Sequence, residues 1–84
     1  MAAQITAFVT IVMDPKRETA VVAALIKMDE VQGLWTVSGG YDLIALVRAS
    51  NTSVIDSALR TIGNLPGLER TESSIILSTM LDSR

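Results

Sequence analysis

Side chains able to bind a charged ligand concentrate around the Gly39-Gly40 pair. The Asp42 carboxylate, two positions further on, could attract an ammonium group. The alternative is an ordinary turn aspartate that bonds its own backbone, and spacing alone favours this alternative. Tyr41 could present its phenol to a ligand or shield the end of a sheet, and shielding is the more common role.

Two hydroxyls stand on the last predicted strand, where Thr71 and Ser73 alternate onto one side. Paired hydroxyls beside backbone amides can hold a carboxylate, although such residues are common on strands. Trp35 could stack on a ligand, but no basic groove accompanies it, so we interpret it as a packing or interface residue. These residues suggest at most a site for a small molecule that carries both charges.

The composition excludes many kinds of chemistry. The 84 residues include no cysteine and no histidine, which removes disulfides, thiol nucleophiles, imidazole bases and nearly every transition-metal site. The net charge is −2 and the charged residues are scattered singly, so the sequence provides no basic patch that could bind phosphate backbones. No phosphate-binding glycine loop is present. We therefore expect no catalytic residues, no metal, no cofactor and no direct nucleic-acid partner.

The longest uninterrupted apolar run, Ala20 to Ile26, falls far short of the roughly 18 residues that a membrane span needs. Met1 to Met13 lacks the basic start of a signal peptide. The sequence therefore predicts a cytoplasmic protein with no membrane association.

Periodicity predicts the element order β-α-β, turn, β-α-β within one domain, residues 1–84. Two glycines followed by Tyr-Asp predict a tight hairpin in the middle. The predicted elements are strands at Gln4–Met13, Val31–Ser38, Leu43–Ala49 and Leu68–Met80, and helices from about Pro15 to Met28 and from about Asn51 to Ile62. Asp14 is the expected cap of the first helix, and the candidate caps of the second are Asn51, Thr52 and Ser53.

This order predicts an α+β fold, a ferredoxin-like βαββαβ sandwich whose four-stranded antiparallel sheet carries two helices on one face. The apolar run Leu43–Val47 fits a central strand. The uncovered face would then be apolar, so we expect a homodimer through that face and further assembly into a ring.

Two stretches, Trp35-Thr-Val-Ser-Gly-Gly-Tyr-Asp-Leu-Ile-Ala-Leu-Val and Leu65-Pro-Gly-Leu-Glu-Arg-Thr-Glu-Ser-Ser-Ile-Ile-Leu, resemble the effector-binding RAM domain of the Lrp/AsnC feast/famine transcription regulators. The resemblance covers nearly the whole chain. It implies that a free amino acid binds at a subunit interface, through the residues Gly39, Gly40, Tyr41, Asp42, Thr71 and Ser73. Two of them depart from the family pattern: Gly40 stands where many members have a polar residue, and Ser73 replaces a threonine.

Family regulators also carry an N-terminal helix-turn-helix domain, whereas this chain begins at the sensor strand and so resembles a stand-alone form. The resemblance implies a protein that binds amino acids by itself, or one that joins full-length regulators. Two other functions stay open, a small dimeric α/β-barrel enzyme and a purely architectural assembly module. The lack of histidine and of a paired acid and base argues against the enzyme.

Overall fold

The computed structural model describes residues 4–82 of the chain. Its elements follow the predicted order. They are β1 (Ile5–Met13), a 3-10 turn (Pro15–Arg17), α1 (Glu18–Ile26), β2 (Val31–Thr36), β3 (Leu43–Ala49), α2 (Thr52–Gly63) and β4 (Leu68–Ile75).

The four strands form one sheet in the order β2-β3-β1-β4, with every neighbouring pair antiparallel. The two central strands, β1 and β3, run in register from Ile5 opposite Ala49 to Ile11 opposite Leu43. This is the predicted ferredoxin-like arrangement, and β3 is central as its continuous apolar sequence indicated.

The core lies between the sheet and the two helices. Because side chains alternate across a strand, every second residue of β1 and β3 faces the helices, and each fully buried Val, Leu, Ile or Met side chain contributes roughly 1.5–3 kcal/mol to folding. The buried residues are Ala7, Val9, Ile11 and Met13 of β1, Leu43, Ala45, Val47 and Ala49 of β3, Val21 and Leu25 of α1, and Ile55, Ala58 and Ile62 of α2.

Side-chain caps start both helical segments where the sequence predicted them. The Asp14 carboxylate accepts a hydrogen bond of 3.0 Å from the Lys16 backbone N–H, ahead of Pro15. Among three candidate caps of α2, Asn51 accepts from the Val54 N–H at 2.9 Å. These bonds satisfy backbone donors that a helix start leaves open, and so they define where each segment begins.

The tight hairpin predicted at Gly39-Gly40 is wrong. β2 already ends at Thr36, so the connection to β3 comprises residues 37–42. Of the two glycines only Gly39 has a positive φ, +109°. A type I′ turn at this pair would need a positive φ at both glycines, and the six-residue connection is too long for any two-residue hairpin.

The predicted extension of β4 to Met80 is also wrong, because the strand ends at Ile75. The Ile76 N–H still donates to the Thr6 carbonyl at 2.9 Å. In this register Ile5, the first residue of β1, stands opposite position 77, so positions 78–80 have no partner on β1 within the described sheet.

The sheet face opposite the helices is open and partly apolar. It carries Phe8, Ile44 and Leu46 from the central strands and Trp35, 49% exposed, from β2. The Trp35 indole lies along its own strand, over the backbone of Gly33. A Cβ atom built on Gly33 would stand 2.5 Å from the ring atom Cη2 of Trp35.

We predict that Gly33→Ala displaces the indole of Trp35, the only tryptophan in the chain. The ring can rotate away, so the free energy of unfolding should change by less than ~1 kcal/mol, while the fluorescence emission maximum should shift. Gly40→Ala is the matched control, because nothing lies within 4 Å of its added methyl group. An unchanged emission spectrum in Gly33→Ala would contradict the described ring position.

Candidate functional site

Two loops meet the end of β1 and form the candidate site. In the loop of residues 37–42, the Asp42 N–H donates to the Ile11 carbonyl at 2.8 Å. On the other side, the Asp14 N–H donates to the Gly67 carbonyl at 2.9 Å. Gly67 has a φ of +94°, and its Cα approaches the Arg17 side chain so closely that a Cβ there would lie 2.5 Å from the Arg17 Cβ. Both loops are therefore anchored to the same end of the sheet.

Asp42 holds its loop against β1 through both backbone and side chain. Its Oδ2 atom accepts a hydrogen bond from the Met13 N–H at 3.0 Å. Its own carbonyl accepts from the Val37 N–H at 3.1 Å, which closes the base of the loop. A carboxylate offers about four acceptor positions, so this bonding leaves Oδ1 available. The residue is exposed, and no ion pair within residues 4–82 engages it.

The tip of the same loop presents backbone donors. Gly39 and Gly40 are exposed, and Tyr41 is half-buried. Among residues 4–82, no backbone hydrogen bond uses the N–H groups of Gly39, Gly40 or Tyr41. The loop therefore offers amide donors and a carboxylate a few residues apart, which suits a ligand that carries both charges.

Thr71 and Ser73 lie on β4, where they pair with Ile11 and Val9 of β1. Their side chains share the helix-facing side of the sheet with those two buried partners. Thr71 is half-buried, and its hydroxyl lies 3.8 Å from where a Cβ on Gly63, at the end of α2, would stand. Ser73 is exposed.

The predicted site residues form two groups, which β1 separates. The Asp42 N–H bonds the Ile11 carbonyl on the edge of β1 that faces β3. Thr71 is the β4 partner of Ile11, on the opposite edge of β1. Two strand spacings correspond to about 10 Å between their backbones. The structure thus groups Gly39, Gly40, Tyr41 and Asp42, and groups Thr71 with Ser73, without joining the two groups in one protomer.

The described part of the chain contains no cluster of three or more potential metal-binding residues. No helix among residues 4–82 is long and apolar enough to cross a membrane.

The sequence did not predict the backbone N–H of Met13 as the hydrogen-bond partner of Asp42. Every residue except proline carries the same donor, and no side-chain pattern distinguishes this one.

The sequence of this chain is similar to those of known proteins over most of its length. The family model described as "Lrp/AsnC ligand binding domain" matches residues 6–84. The HTH-type transcriptional regulator FL11 of Pyrococcus abyssi is 32% identical over 73 residues, which are 87% of this chain and 48% of that protein. The chain thus spans about half the length of the curated relatives it matches.

Two solved structures are also similar. TTHA0845 from Thermus thermophilus has a TM-score of 0.84 and 34% identity, covering 93% of this chain and 99% of that chain. The feast or famine regulatory protein Rv3291c from M. tuberculosis, complexed with L-methionine, has a TM-score of 0.76 and 31% identity, covering 95% of this chain and 54% of that chain.

We predict that Asp42→Ala lowers the free energy of unfolding by about 1–2 kcal/mol, because the Met13 N–H loses its charged acceptor. Urea denaturation followed by circular dichroism measures the change. Asp29→Ala, which removes another exposed loop carboxylate, should leave the midpoint unchanged. Equal stabilities of the two variants would show that the hydrogen bond between Asp42 and Met13 contributes nothing.

Proposed function

This chain belongs to the family of Lrp/AsnC ligand-binding domains, and from that premise we propose that it is an amino-acid-sensing and oligomerisation module. In this proposal residues 1–84 act as one regulatory domain. A free α-amino acid binds at a subunit interface, between the loop of residues 37–42 and the hydroxyls of β4. Binding then changes how the domains assemble.

The observation that carries the proposal is the state of the Asp42 carboxylate. One oxygen is held by the Met13 N–H, which fixes the direction of the group, and the residue remains exposed. A carboxylate oriented in this way can accept a charge-assisted hydrogen bond from the ligand's ammonium group. The same carboxylate therefore maintains the loop through Oδ2 and binds the ligand through Oδ1.

The ligand's carboxylate requires donors, and two sets are available. The amides of Gly39, Gly40 and Tyr41 lie close to Asp42 in sequence, whereas the hydroxyls of Thr71 and Ser73 lie beyond β1. Because β1 lies between Asp42 and Thr71 and their backbones are about 10 Å apart, a second protomer that supplies one of the two groups would bring both to the same small ligand. This spacing supports a site that a second protomer completes, and Tyr41 would then border the ligand's side chain.

The open sheet face supports assembly into homodimers. Phe8, Trp35, Ile44 and Leu46 present apolar surface there, and covering it removes that surface from water. Dimers of this kind then build a ring. The same face would also allow the chain to join full-length Lrp/AsnC regulators and so alter their DNA occupancy without touching DNA itself.

The proposed role is binding rather than catalysis. The Pyrococcus relative is named as a transcriptional regulator. The chain has no histidine or cysteine, and the site has one carboxylate rather than a pair that could act as acid and base. A purely architectural module is the other candidate, and ligand binding separates the two.

We predict that the wild-type protein binds amino acids with micromolar to millimolar affinity, because a few charge-assisted hydrogen bonds of ~1.5–3 kcal/mol are offset by the cost of immobilising the ligand. Isothermal titration calorimetry against the common amino acids, beginning with L-methionine, measures it. Asp42→Asn should lower the affinity at least about tenfold, since it removes the charge but keeps an acceptor for the Met13 N–H.

Asp29→Asn is the matched control and should bind as the wild type does. Thr71→Val together with Ser73→Ala should also weaken binding, because the variant lacks both hydroxyls. Unchanged affinity in Asp42→Asn would refute the role of this carboxylate. A wild-type protein that binds no amino acid would favour the architectural module.

We predict that Leu46→Asp converts the dimer into monomers, because an unpaired carboxylate buried in the interface costs several kcal/mol. Sedimentation equilibrium at micromolar concentration measures the association. Ser57→Asp places the same charge on the exposed side of α2 and should leave the dimer intact. A dimeric Leu46→Asp protein would exclude the open sheet face as the interface.

A further inference from the structure

One row of β4 side chains lies on the helix-facing side of the sheet, yet the helices leave much of it uncovered. Each member pairs with a buried residue of β1, and paired residues of an antiparallel sheet share a face. The row, which we call the β4 shelf, consists of Leu68, Thr71, Ser73 and Ile75. Ser73 is exposed and Ile75 is 48% exposed, whereas their partners Val9 and Ala7 are buried. The cover that the helices give therefore ends between β1 and β4.

The β4 shelf has hydroxyls in its middle and apolar side chains at its ends. At one end Leu68 packs against the core, and the Arg17 side chain lies against the neighbouring Gly67. At the other end, the exposed part of the Ile75 side chain follows the hydroxyl of Ser73 along the strand. The Ile75 end is therefore the one that offers free apolar surface beside a hydroxyl.

No charged side chain belongs to the β4 shelf. Arg70 and Glu72 pair with β1 residues of the opposite, open face, and their side chains lie 4.0 Å apart. Glu69 lies at the shift of register beside the other end of the shelf. On α2 the Arg60 Nε–H donates to the Asp56 carboxylate at 2.9 Å, so these two charges neutralise each other. A charged ligand side chain beside the last residue of β4 would therefore lose water without gaining a partner of opposite charge.

We propose that the β4 shelf selects amino acids with apolar side chains, and that Ile75 determines this specificity. The inference rests on the proposed function and names the ligand class of that same site. The hydroxyls of the shelf hold the ligand's carboxylate, and Asp42 of the partner subunit holds its ammonium group. The ligand's side chain then extends along β4 and packs on Ile75.

The spacing along β4 suits side chains longer than that of alanine. Two residues of a strand span about 6.6–6.8 Å, which is the distance along the backbone from Ser73 to Ile75. The side chain of leucine or methionine covers most of that distance, whereas the methyl group of alanine does not reach Ile75. Because the burial of each further methylene group favours binding, the affinity should rise with the apolar length of the ligand.

The test is isothermal titration calorimetry of the full chain with L-leucine, L-methionine, L-alanine, L-glutamate and L-lysine. We expect leucine and methionine to bind the wild-type protein at least about tenfold more tightly than the other three, because they bury more apolar surface. Ile75→Thr keeps a β-branched side chain that suits a strand, so the circular dichroism spectrum should stay unchanged.

In Ile75→Thr the affinity for leucine should fall at least about fivefold, while the affinity for alanine stays within about twofold of the wild type. Ile26→Thr, at a 68% exposed residue of α1, is the matched control and should bind every ligand as the wild type does.

A wild-type protein that binds glutamate or lysine most tightly would overturn the apolar ligand class, while the amino-acid site of the proposed function would stand. Unchanged leucine affinity in Ile75→Thr would overturn the role of Ile75. Equal losses for leucine and alanine in this variant, or an equal loss of leucine affinity in Ile26→Thr, would overturn it as well, because the effect would not be specific to the ligand's side chain. A wild-type protein that binds none of the amino acids is a distinct result, which overturns the proposed function and this inference with it.

Discussion

Each strand of the sheet sends alternate side chains to its two faces, and the two helices cover only one of those faces. This constraint divides β1 and β3 residue by residue. Ala7, Val9 and Ile11 lie in the core, whereas Phe8 lies on the open face beside Leu46. A slip of one residue in the register would exchange the two sets, so the same pairing that builds the core also exposes the apolar open face.

The two ends of the sheet differ in chemistry. At the end of β1, loops anchored by backbone hydrogen bonds present a carboxylate and amide donors around Asp42. Near the start of β1, the residues that follow β4 carry the apolar side chains of Leu77, Met80 and Leu81, which are largely exposed. The polar groups around Asp42 and the exposed apolar side chains thus lie at different ends of one small domain. A chain of 84 residues buries only a modest share of its surface when it folds, so assembly with other chains is an effective way to bury more apolar surface.

The contacts of Asp42 are compatible with both a structural role and a ligand-binding role. The sequence left two alternatives for Asp42: a carboxylate that binds a ligand, or a structural aspartate of a turn. The structure shows a structural bond to the Met13 N–H, made through one oxygen of a residue that remains exposed. The two roles are compatible because a carboxylate has more acceptor positions than this bond uses. In the proposed function, a carboxylate that is already held in one orientation would lose less conformational entropy when a ligand binds.

The order of elements, the sheet with two helices, the central position of Leu43–Val47 and the cap at Asp14 followed from the sequence, because periodicity and capping are local properties of the chain. Three features depended on tertiary structure. The loop after Thr36 is longer than its two glycines suggested, since strand ends are decided by cross-strand pairing. β4 ends at Ile75 and cannot pair with β1 as far as Met80, since Ile5, the first residue of β1, stands opposite position 77. The separation of Asp42 from Thr71 became visible only with the strand order, because β1, the first strand of the chain, inserts between β3 and β4.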